Sequence, residues 1–123
     1  MRTMPERAKP PPDITPHAFF TEWIAASVAR DQRRQRALGT TRAILQFELS
    51  GEQGGAFTVH LEEGAVRGVA GPHPERDLCV RLDVETWRAL NAGSISAPEA
   101  LLKRRVKLEG SFVLAIKLHL ILG

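Results

Sequence analysis

The chain has 123 residues, a hydrophobic content of 43% and a net charge of +3. This length supports one domain with a real core and excludes two, and the composition argues against disorder of the whole chain. The charge is +4 over residues 1–42 and −1 over the remainder, so any attraction to phosphate or anionic lipid is expected to be local. A single cysteine, Cys79, excludes an internal disulfide and a cysteine-rich metal site, and it predicts a reduced, cytoplasmic setting.

The first 13 residues, MRTMPERAKPPPD, are rich in proline and lack the apolar region of a signal peptide. Consecutive prolines favour the extended polyproline II conformation, so residues 1–13 are predicted to form a flexible leader before a domain of residues 14–123. The longest apolar run lies at the C-terminus and has about 11 residues. As a helix it would reach half of a bilayer core of about 30 Å, so no membrane span is expected.

A first helix is predicted to begin after Thr15, a good N-cap residue, with Pro16 in its first turn. Apolar residues then recur at the spacing of one helical face, at Phe20, Trp23, Ile24 and Val28. The helix is predicted to continue through the polar run RDQRRQR and to stop before Gly39. It should therefore lay one apolar stripe on the rest of the domain.

The polar end of this helix carries a basic cluster, namely Arg30, Arg33, Arg34 and Arg36. The cluster is interpreted as a solvated helix end, and the functional alternative is contact with an anionic membrane surface. Nucleic acid is disfavoured as a partner, because such binding usually brings a broader basic surface and exposed aromatic side chains.

Residues 41–82 change to a period of two, which is typical of strands. Four strands are predicted, at residues 41–49, 56–62, 65–70 and 78–82. The connection at residues 71–77, GPHPERD, reads as a loop. Short turns between the strands imply an antiparallel meander with one buried face.

After the fourth strand the helical period returns. Asp83 is predicted to cap a helix that ends at Gly93, and Ser96 with Glu99 has the spacing of a capping box for a second short helix. The buried stripe of the first of these helices is Val84, Trp87 and Leu90. A fifth strand is predicted at residues 106–109.

The last segment, Phe112–Leu122, offers only Lys117 and His119 as polar side chains. Ser111 can cap a helix here, but the apolar residues also match a period of two, so the pattern leaves helix and strand open. Such a segment must be covered by the rest of the protein, by another chain or by a lipid. The whole order of elements predicts an α+β fold, with helices on one face of a mostly antiparallel five-stranded sheet.

The ordered series LCVRLDVETWRALNAG, SAPEALL, RRVKLEGS and FVLAIKL, over residues 78–118, resembles the sterol carrier protein 2 (SCP2) family of lipid-binding domains. The upstream hairpins fit the same order, so the resemblance covers most of residues 18–118. Two positions depart from the family pattern: Arg104 stands where the family often has glycine, and Ser111 where it often has Asp or Asn. The conformation of the turn at Arg104 is therefore an open question.

The resemblance implies a twisted five-stranded sheet covered by helices, with an apolar tunnel between them. Such a tunnel takes sterols, fatty acids, acyl-CoA or phospholipids and does no chemistry on them. The segment RRVKLEG also resembles a subset of bacterial members of the family, which assist ubiquinone biosynthesis by holding apolar quinone precursors. No cofactor is implied.

The sequence offers a shaped apolar wall with few charges, as such a site needs. The residues expected to form the wall are Trp87, Leu90, Leu101, Leu102, Phe112, Leu114, Ile116 and Leu118. Lys117 is a candidate contact for a carboxylate or phosphate at the tunnel mouth, and the alternative is that it extends to solvent. The other hypothesis for the C-terminal segment is a protein interaction or homodimer surface, so a monomer and a homodimer both stay open.

Catalytic and metal-binding constellations are not evident. The histidines have no metal-ligand spacing with a second donor, and no Gly-x-Ser-x-Gly elbow occurs. Cys79 alternates outward from its apolar neighbours, and nothing near it in sequence suggests an activated thiol. The sequence therefore predicts a binding protein rather than an enzyme.

Overall fold

A computed structural model describes the backbone of residues 9–122 and the side chains of residues 9–119. Its strands are β1 (Arg42–Ser50), β2 (Gly55–Glu62), β3 (Ala65–Ala70), β4 (Leu78–Asp83) and β5 (Val106–Gly110). Its helices are α1 (Pro16–Ala18), α2 (Ile24–Ala29), α3 (Gln32–Leu38), α4 (Val84–Ala92), α5 (Ala97–Leu102) and α6 (Phe112–Leu122), and a π-helical turn (Phe19–Trp23) joins α1 to α2. The α+β class and the five-stranded sheet with its covering helices are confirmed.

The five strands form one mixed sheet in the order β3-β2-β1-β4-β5. Strands β1 and β4 are parallel neighbours, and the other three pairs are antiparallel. The predicted four-stranded antiparallel meander is therefore wrong, because β4 lies beyond β1 and not beside β3. Crossing three strand spacings of about 4.8 Å is within reach of seven residues at about 3.3 Å each.

The crossing loop, residues 71–77, lies over the polar face of the sheet and is held there by hydrogen bonds. Thr58 Oγ1 donates to the carbonyl oxygen of Gly71 at 2.7 Å, and the His73 N–H donates to Gln46 Oε1 at 2.9 Å. Thr58 and Gln46 thus anchor loop 71–77, although their alternate positions in the strands suggest a face exposed to solvent. Cys79 is fully buried on this face, which corrects its predicted outward exposure.

The opposite face of the sheet is apolar and carries the core. Its buried residues from β1, β2 and β4 are Ala43, Leu45, Phe47, Leu49, Phe57, Val59, Leu61, Leu78, Val80 and Leu82. Phe20 and Ile24 from the N-terminal helices pack into the same cluster. The strict alternation seen in the sequence places all of these side chains toward one layer of helices.

The N-terminal helical region is broken, contrary to the single helix predicted to run to Gly39. Thr15 does cap it, since its Oγ1 accepts from the Ala18 N–H at 3.1 Å. Asp31 then starts a new helix, because its carboxylate accepts from the backbone N–H groups of Arg33 and Arg34. Arg34 is buried and paired with Asp31 at 2.9 Å, so the basic cluster is not wholly solvated.

This helical region lies directly on β3 at Gly68. A Cβ atom at that position would stand 1.6 Å from the carbonyl oxygen of Phe20, so only glycine allows the approach.

Of the predicted leader, residues 1–8 lie outside the described residues. Farther along, Arg88 of α4 donates to the carbonyl oxygens of Pro12 and Ile14 at 3.1 and 3.0 Å.

The caps predicted for the later helices are confirmed. Asp83 Oδ1 accepts from the Thr86 N–H, and Gly93 ends α4 in the left-handed region at φ 76°. Ser96 caps α5, and Ser111 Oγ accepts from the Leu114 N–H at 3.3 Å. Between the helix and the strand that the sequence left open, the structure has a helix at Phe112–Leu122, and Ser111 caps it.

The turn after α5 is a Schellman motif with Arg104 in the place that usually holds glycine. The Arg105 N–H donates to the Ala100 carbonyl at 2.8 Å, and the Arg104 N–H donates to the Leu101 carbonyl at 3.0 Å. Arg104 has φ 58°, in the left-handed region that disfavours residues with a Cβ atom. The turn is therefore retained with a local strain at Arg104.

Candidate functional site

The helices divide the apolar face of the sheet into two halves. The π-helical turn and α2 contact β3, and the turn also contacts β2. Helix α4 contacts β4 and β1, α5 contacts β5, and α6 contacts β4, β5 and α3. The predicted wall residues belong to α4, α5 and α6, so they all lie on the β4–β5 half.

Cover over the β4–β5 half is incomplete. Residues on its helices and on β5 pack against the core cluster yet stay partly exposed, and they are Val84, Ala89, Leu90, Leu108, Leu114, Ala115 and Leu118. On the other half, Phe20, Ile24 and Val28 are at most 1% exposed, while Ile14, Trp23 and Val66 are also partly exposed. The β4–β5 half thus leaves more apolar side chains partly exposed than the other half does. We call the incompletely covered region of the β4–β5 half the apolar groove.

Four of the predicted wall residues meet on the core. Trp87 is 4% exposed and packs edge-on against Phe19, with ring centroids 5.3 Å apart. Leu90, Leu114 and Leu118 are half-buried and contact the same cluster. Trp87 therefore lies at the floor of the groove, between it and Phe19 of the core.

The other four predicted wall residues are on the surface. Their exposed fractions are 41% for Leu101, 85% for Leu102, 70% for Phe112 and 52% for Ile116. The structure does not bring these four onto the core with Trp87. The periodicity could not separate the two groups, because a helix without a polar face gives no sign of which side faces inward.

Helix α6 leaves a large part of its apolar surface exposed to solvent. Its inner side presents Leu114, Ala115 and Leu118 to the core, and its outer side exposes Phe112, Val113 and Ile116. Val113 was not among the predicted wall residues, although its position beside Phe112 was a signal. Because burying a large apolar side chain contributes about 1.5–3 kcal/mol, leaving three of them in water is costly.

Lys117 is held against the protein rather than extended into solvent. Its Nζ donates a hydrogen bond of 2.6 Å to Thr41 Oγ1, and the lysine side chain is half-buried. Thr41 stands immediately before β1, so the contact ties α6 to the start of the sheet. Its predicted role as a contact for the ligand's polar head stays a prediction.

Trp87 carries a feature that the sequence did not predict. Its Nε1–H is buried and has no hydrogen-bond partner among the residues that the structure describes. A buried donor without an acceptor costs about 1–3 kcal/mol. A ligand oxygen that reached this N–H would recover that free energy.

On the polar face, Arg81 of β4 links neighbouring strands by pairing with Glu48 of β1 and Glu109 of β5. The guanidinium hydrogen bonds hold the pKa of both carboxyl groups below their ordinary range. Burial and the nearby Glu48 carboxylate raise the pKa of the Cys79 thiol, which opposes a role for it as a nucleophile.

Other kinds of site receive little support. Over residues 9–122 there is no group of three or more His, Cys, Asp or Glu side chains that could hold a metal ion. Within the same range, no helix is both long enough and apolar enough to cross a bilayer. A separate open cavity of about 660 Å³ lies between α2, α3 and the β2–β3 turn, and its lining includes the polar residues Gln32, Gln35, Arg36 and Glu63.

Comparison with known proteins decides the family, because the model of the SCP-2 sterol transfer family matches residues 21–123. The chain belongs to this family. In fold it is similar to palmitated SCP2L2 from Aedes aegypti, with a TM-score of 0.70, 22% identity and coverage of 89% of this chain and 96% of that one. The resemblance to the SCP2 family is thereby confirmed, and the cytoplasmic setting stays a prediction.

Longer proteins contain a similar segment. Hydroxysteroid dehydrogenase-like protein 2 from Bos taurus is 27% identical over 115 residues, which are 93% of this chain and 27% of that protein. The sec-alkylsulfatase Pisa1 from Pseudomonas sp. has a TM-score of 0.70 at 20% identity, over 88% of this chain and 16% of its own. The chain thus spans about a quarter of the first of these relatives and less of the second.

Proposed function

We propose that this protein binds the apolar part of a lipid in the groove between α4, α5 and α6 and releases it unchanged. The observation that carries the proposal is α6, a helix that has only Lys117 and His119 as polar residues and is only half-buried on its inner side. A lipid tail between α6 and the β4–β5 half of the sheet would complete the burial of Leu90, Leu114 and Leu118. The same groove, closed by the ligand, would be the predicted tunnel.

The energetics suit a long-chain ligand. Each buried methylene contributes about 0.8 kcal/mol, so a tail of about 16 carbons gains about 13 kcal/mol before the costs of association. Those costs are at least about 4 kcal/mol, which leaves at most about 9 kcal/mol and allows a dissociation constant in the micromolar range. No polar contact is required for this affinity, although polar contacts would set the orientation.

Two polar groups are placed to recognise the head of such a ligand. The Lys117 ammonium can exchange Thr41 for a ligand carboxylate or phosphate, which forms a stronger, charge-assisted hydrogen bond. The Trp87 N–H at the floor can donate to an oxygen that enters the groove. A fatty acid satisfies the first group, and a sterol hydroxyl or a quinone carbonyl satisfies the second.

The family description and the solved relative support this ligand class. The family is described as transferring sterol, and the mosquito relative is described as palmitated. Both descriptions name ligands that are long and apolar with one small polar end. We extend this shared chemistry to the present chain, with quinone precursors as a further candidate.

A carrier accounts for the site better than an enzyme does. The groove is lined mainly by apolar side chains, and Lys117 is the charged side chain proposed to meet the head of the ligand. Hydroxysteroid dehydrogenase-like protein 2 is far longer than the segment it shares with this chain, so its name gives no reason to place an active site in the groove. We therefore propose that no reaction occurs on the bound lipid.

A second candidate function is supported by the outer side of α6. Phe112, Val113 and Ile116 are each more than half exposed, and a second copy or a partner chain would also cover them. In that case the groove would be filled by protein. A lipid would then neither bind nor change the oligomeric state.

A titration with a fluorescent fatty acid tests the carrier proposal. The detergent-free protein should bind one equivalent with micromolar affinity, and an unlabelled fatty acid or sterol should displace the probe. Light scattering on the same samples should show the same mass with and without lipid. Absence of binding by acyl chains, sterols and quinones, together with a tight dimer broken by Leu118→Asp, would instead support the interaction module.

A further inference from the structure

Exposed apolar side chains are concentrated in one stretch of the chain, around the edge strand β5. Among the residues whose side chains are described, five of the six exposed large hydrophobic residues lie between positions 101 and 116, and they are Leu101, Leu102, Phe112, Val113 and Ile116. The sixth, Val69, lies on β3 at the opposite edge of the sheet. Residues 101–116 contain β5, the edge strand, with the end of α5 before it and the start of α6 after it. We call this region the β5 edge.

The β5 edge is also basic. Residues 101–116 contain Lys103, Arg104, Arg105 and Lys107 against a single acid, Glu109. Their sum of +3 equals the net charge of the whole chain. Glu109 is paired with Arg81, and Lys103 is paired with Glu99 of α5 at 3.0 Å. Leu102, at 85% exposed the most exposed of the large hydrophobic residues, lies directly beside the exposed Lys103 and Arg104.

From this juxtaposition we propose that the β5 edge docks on a bilayer surface that carries anionic headgroups. Leu102, Phe112 and Val113 enter the interface between headgroups and acyl chains. Arg104 faces the lipid phosphates, and Lys103 exchanges its ion pair with Glu99 for a phosphate. Side chains of this kind gain from apolar burial and from attraction to the negative surface at the same time. The inference rests on the proposed function, since a carrier must exchange its lipid with a membrane.

Charge favours a membrane over a second copy of the chain. A two-fold dimer would place the same patch on both sides of its interface, so a charge of +3 would face another +3. An anionic bilayer instead offers opposite charge over any area. The earlier candidate for membrane contact, the arginine cluster near α3, has Arg34 buried with Asp31 and carries none of the exposed large hydrophobic residues described above.

Docking at this edge also suits the groove. Helix α6 forms one wall of the groove with its inner side and part of the β5 edge with its outer side. A bilayer in contact with Phe112 and Val113 would therefore meet the wall that must move for a lipid to enter. The exchange of lipid and the contact with the membrane would use the same helix.

Vesicle co-sedimentation of the full chain tests the docking surface. The probes are vesicles of phosphatidylcholine alone and with about 30 mol% phosphatidylglycerol, at about 0.1 M and about 0.5 M salt. The wild type should bind the anionic vesicles at least about fivefold more tightly, and high salt should remove most of the difference. Arg104→Ala should weaken binding about fivefold, since one cation near the surface contributes a factor of that size.

Matched variants separate docking from folding. Leu102→Asp should weaken anionic-vesicle binding by about tenfold or more, whereas Val69→Asp, an equally polar change at the other edge, should not. Arg36→Ala is the corresponding control for Arg104→Ala, because Arg36 is exposed on α3. Circular dichroism and the binding of a fluorescent fatty acid in solution should stay at wild-type values in all four variants.

Three results would overturn the docking surface: no vesicle binding by the wild type, equal binding to both compositions, or equal effects at the β5 edge and at the control sites. A dimer that dissociates with Leu102→Asp would assign the edge to a second copy instead. The solution titration keeps the two proposals apart. Loss of vesicle binding with intact fatty-acid uptake counts against docking alone, and failure of uptake counts against the carrier.

Discussion

Lys117 of α6 donates a hydrogen bond of 2.6 Å to Thr41 Oγ1, at the start of the sheet. The two residues are 76 positions apart in sequence, so the bond links α6 to the residue that precedes β1. It adds to the apolar contacts of Leu114, Ala115 and Leu118 with the core and so helps to hold α6 over the sheet.

Removing this hydrogen bond should loosen α6 and change head-group selectivity. Lys117→Met and Thr41→Val keep the side-chain volume and should each lower the free energy of unfolding by about 1 kcal/mol, with a double variant no worse than either single one. Lys117→Met should also weaken binding of a fatty acid more than that of its methyl ester. Equal effects on acid and ester would contradict a role for Lys117 at the head group.

Filling the groove should block the ligand without harming the fold. Ala115 is half-buried on the inner side of α6, so Ala115→Phe places a ring where the lipid tail is proposed to lie. Fatty-acid affinity should fall at least about tenfold, since displacing two methylenes already costs about 1.6 kcal/mol. Val113→Phe, on the exposed outer side, is the control and should leave affinity within about twofold.

Arg104 provides a test of the backbone strain. Its φ of 58° costs a residue with a Cβ atom about 1 kcal/mol or more, and glycine avoids that cost. Arg104→Gly should raise the free energy of unfolding by about 1 kcal/mol and the melting temperature by about 4 °C. Arg104→Ala keeps the strain while it removes the charge, so it should leave stability near wild type. A Gly variant no more stable than the Ala variant would show that the turn is unstrained.

Stability should fall in acid through the Arg81 cluster. The hydrogen bonds of Arg81 lower the pKa of Glu48 and Glu109 below their ordinary value of 4.5 in the folded protein. Their contribution is therefore fully present above about pH 4.5 and is lost as pH falls through the lower, folded pKa. Melting temperatures between pH 7 and 3 should drop less steeply for Arg81→Gln than for wild type. Arg67→Gln, which breaks the exposed pair with Glu62, should keep the wild-type slope.

The elements with local signals were predictable from the sequence. Four helix caps are of this kind, namely Thr15, Asp83, Ser96 and Ser111. Each accepts a hydrogen bond from a backbone N–H three residues later, so a few consecutive residues are enough to predict the cap. The alternation of apolar residues also predicted the strands correctly, because one face of the sheet is buried along its central strands.

The topology and the orientation of α6 were not predictable in this way. The parallel pairing of β1 and β4 depends on loop 71–77 being anchored by Gln46 and Thr58, which look like solvent-facing residues in a half-buried strand. The exposure of Phe112 and Ile116 depends on which side of a helix without a polar face meets the sheet. Both features depend on contacts between residues far apart in sequence, which the hydrophobic periodicity does not reveal.

The central claim is that the incomplete cover beneath α6 is completed by a lipid. Native mass spectrometry of protein purified without detergent tests it most directly, because the intact complex is weighed. We predict one chain carrying one molecule with the mass of a fatty acid, sterol, phospholipid or quinone, and a variant with Ala115→Phe that carries none. An empty chain that also fails to take up each of these lipids when they are added would contradict the account.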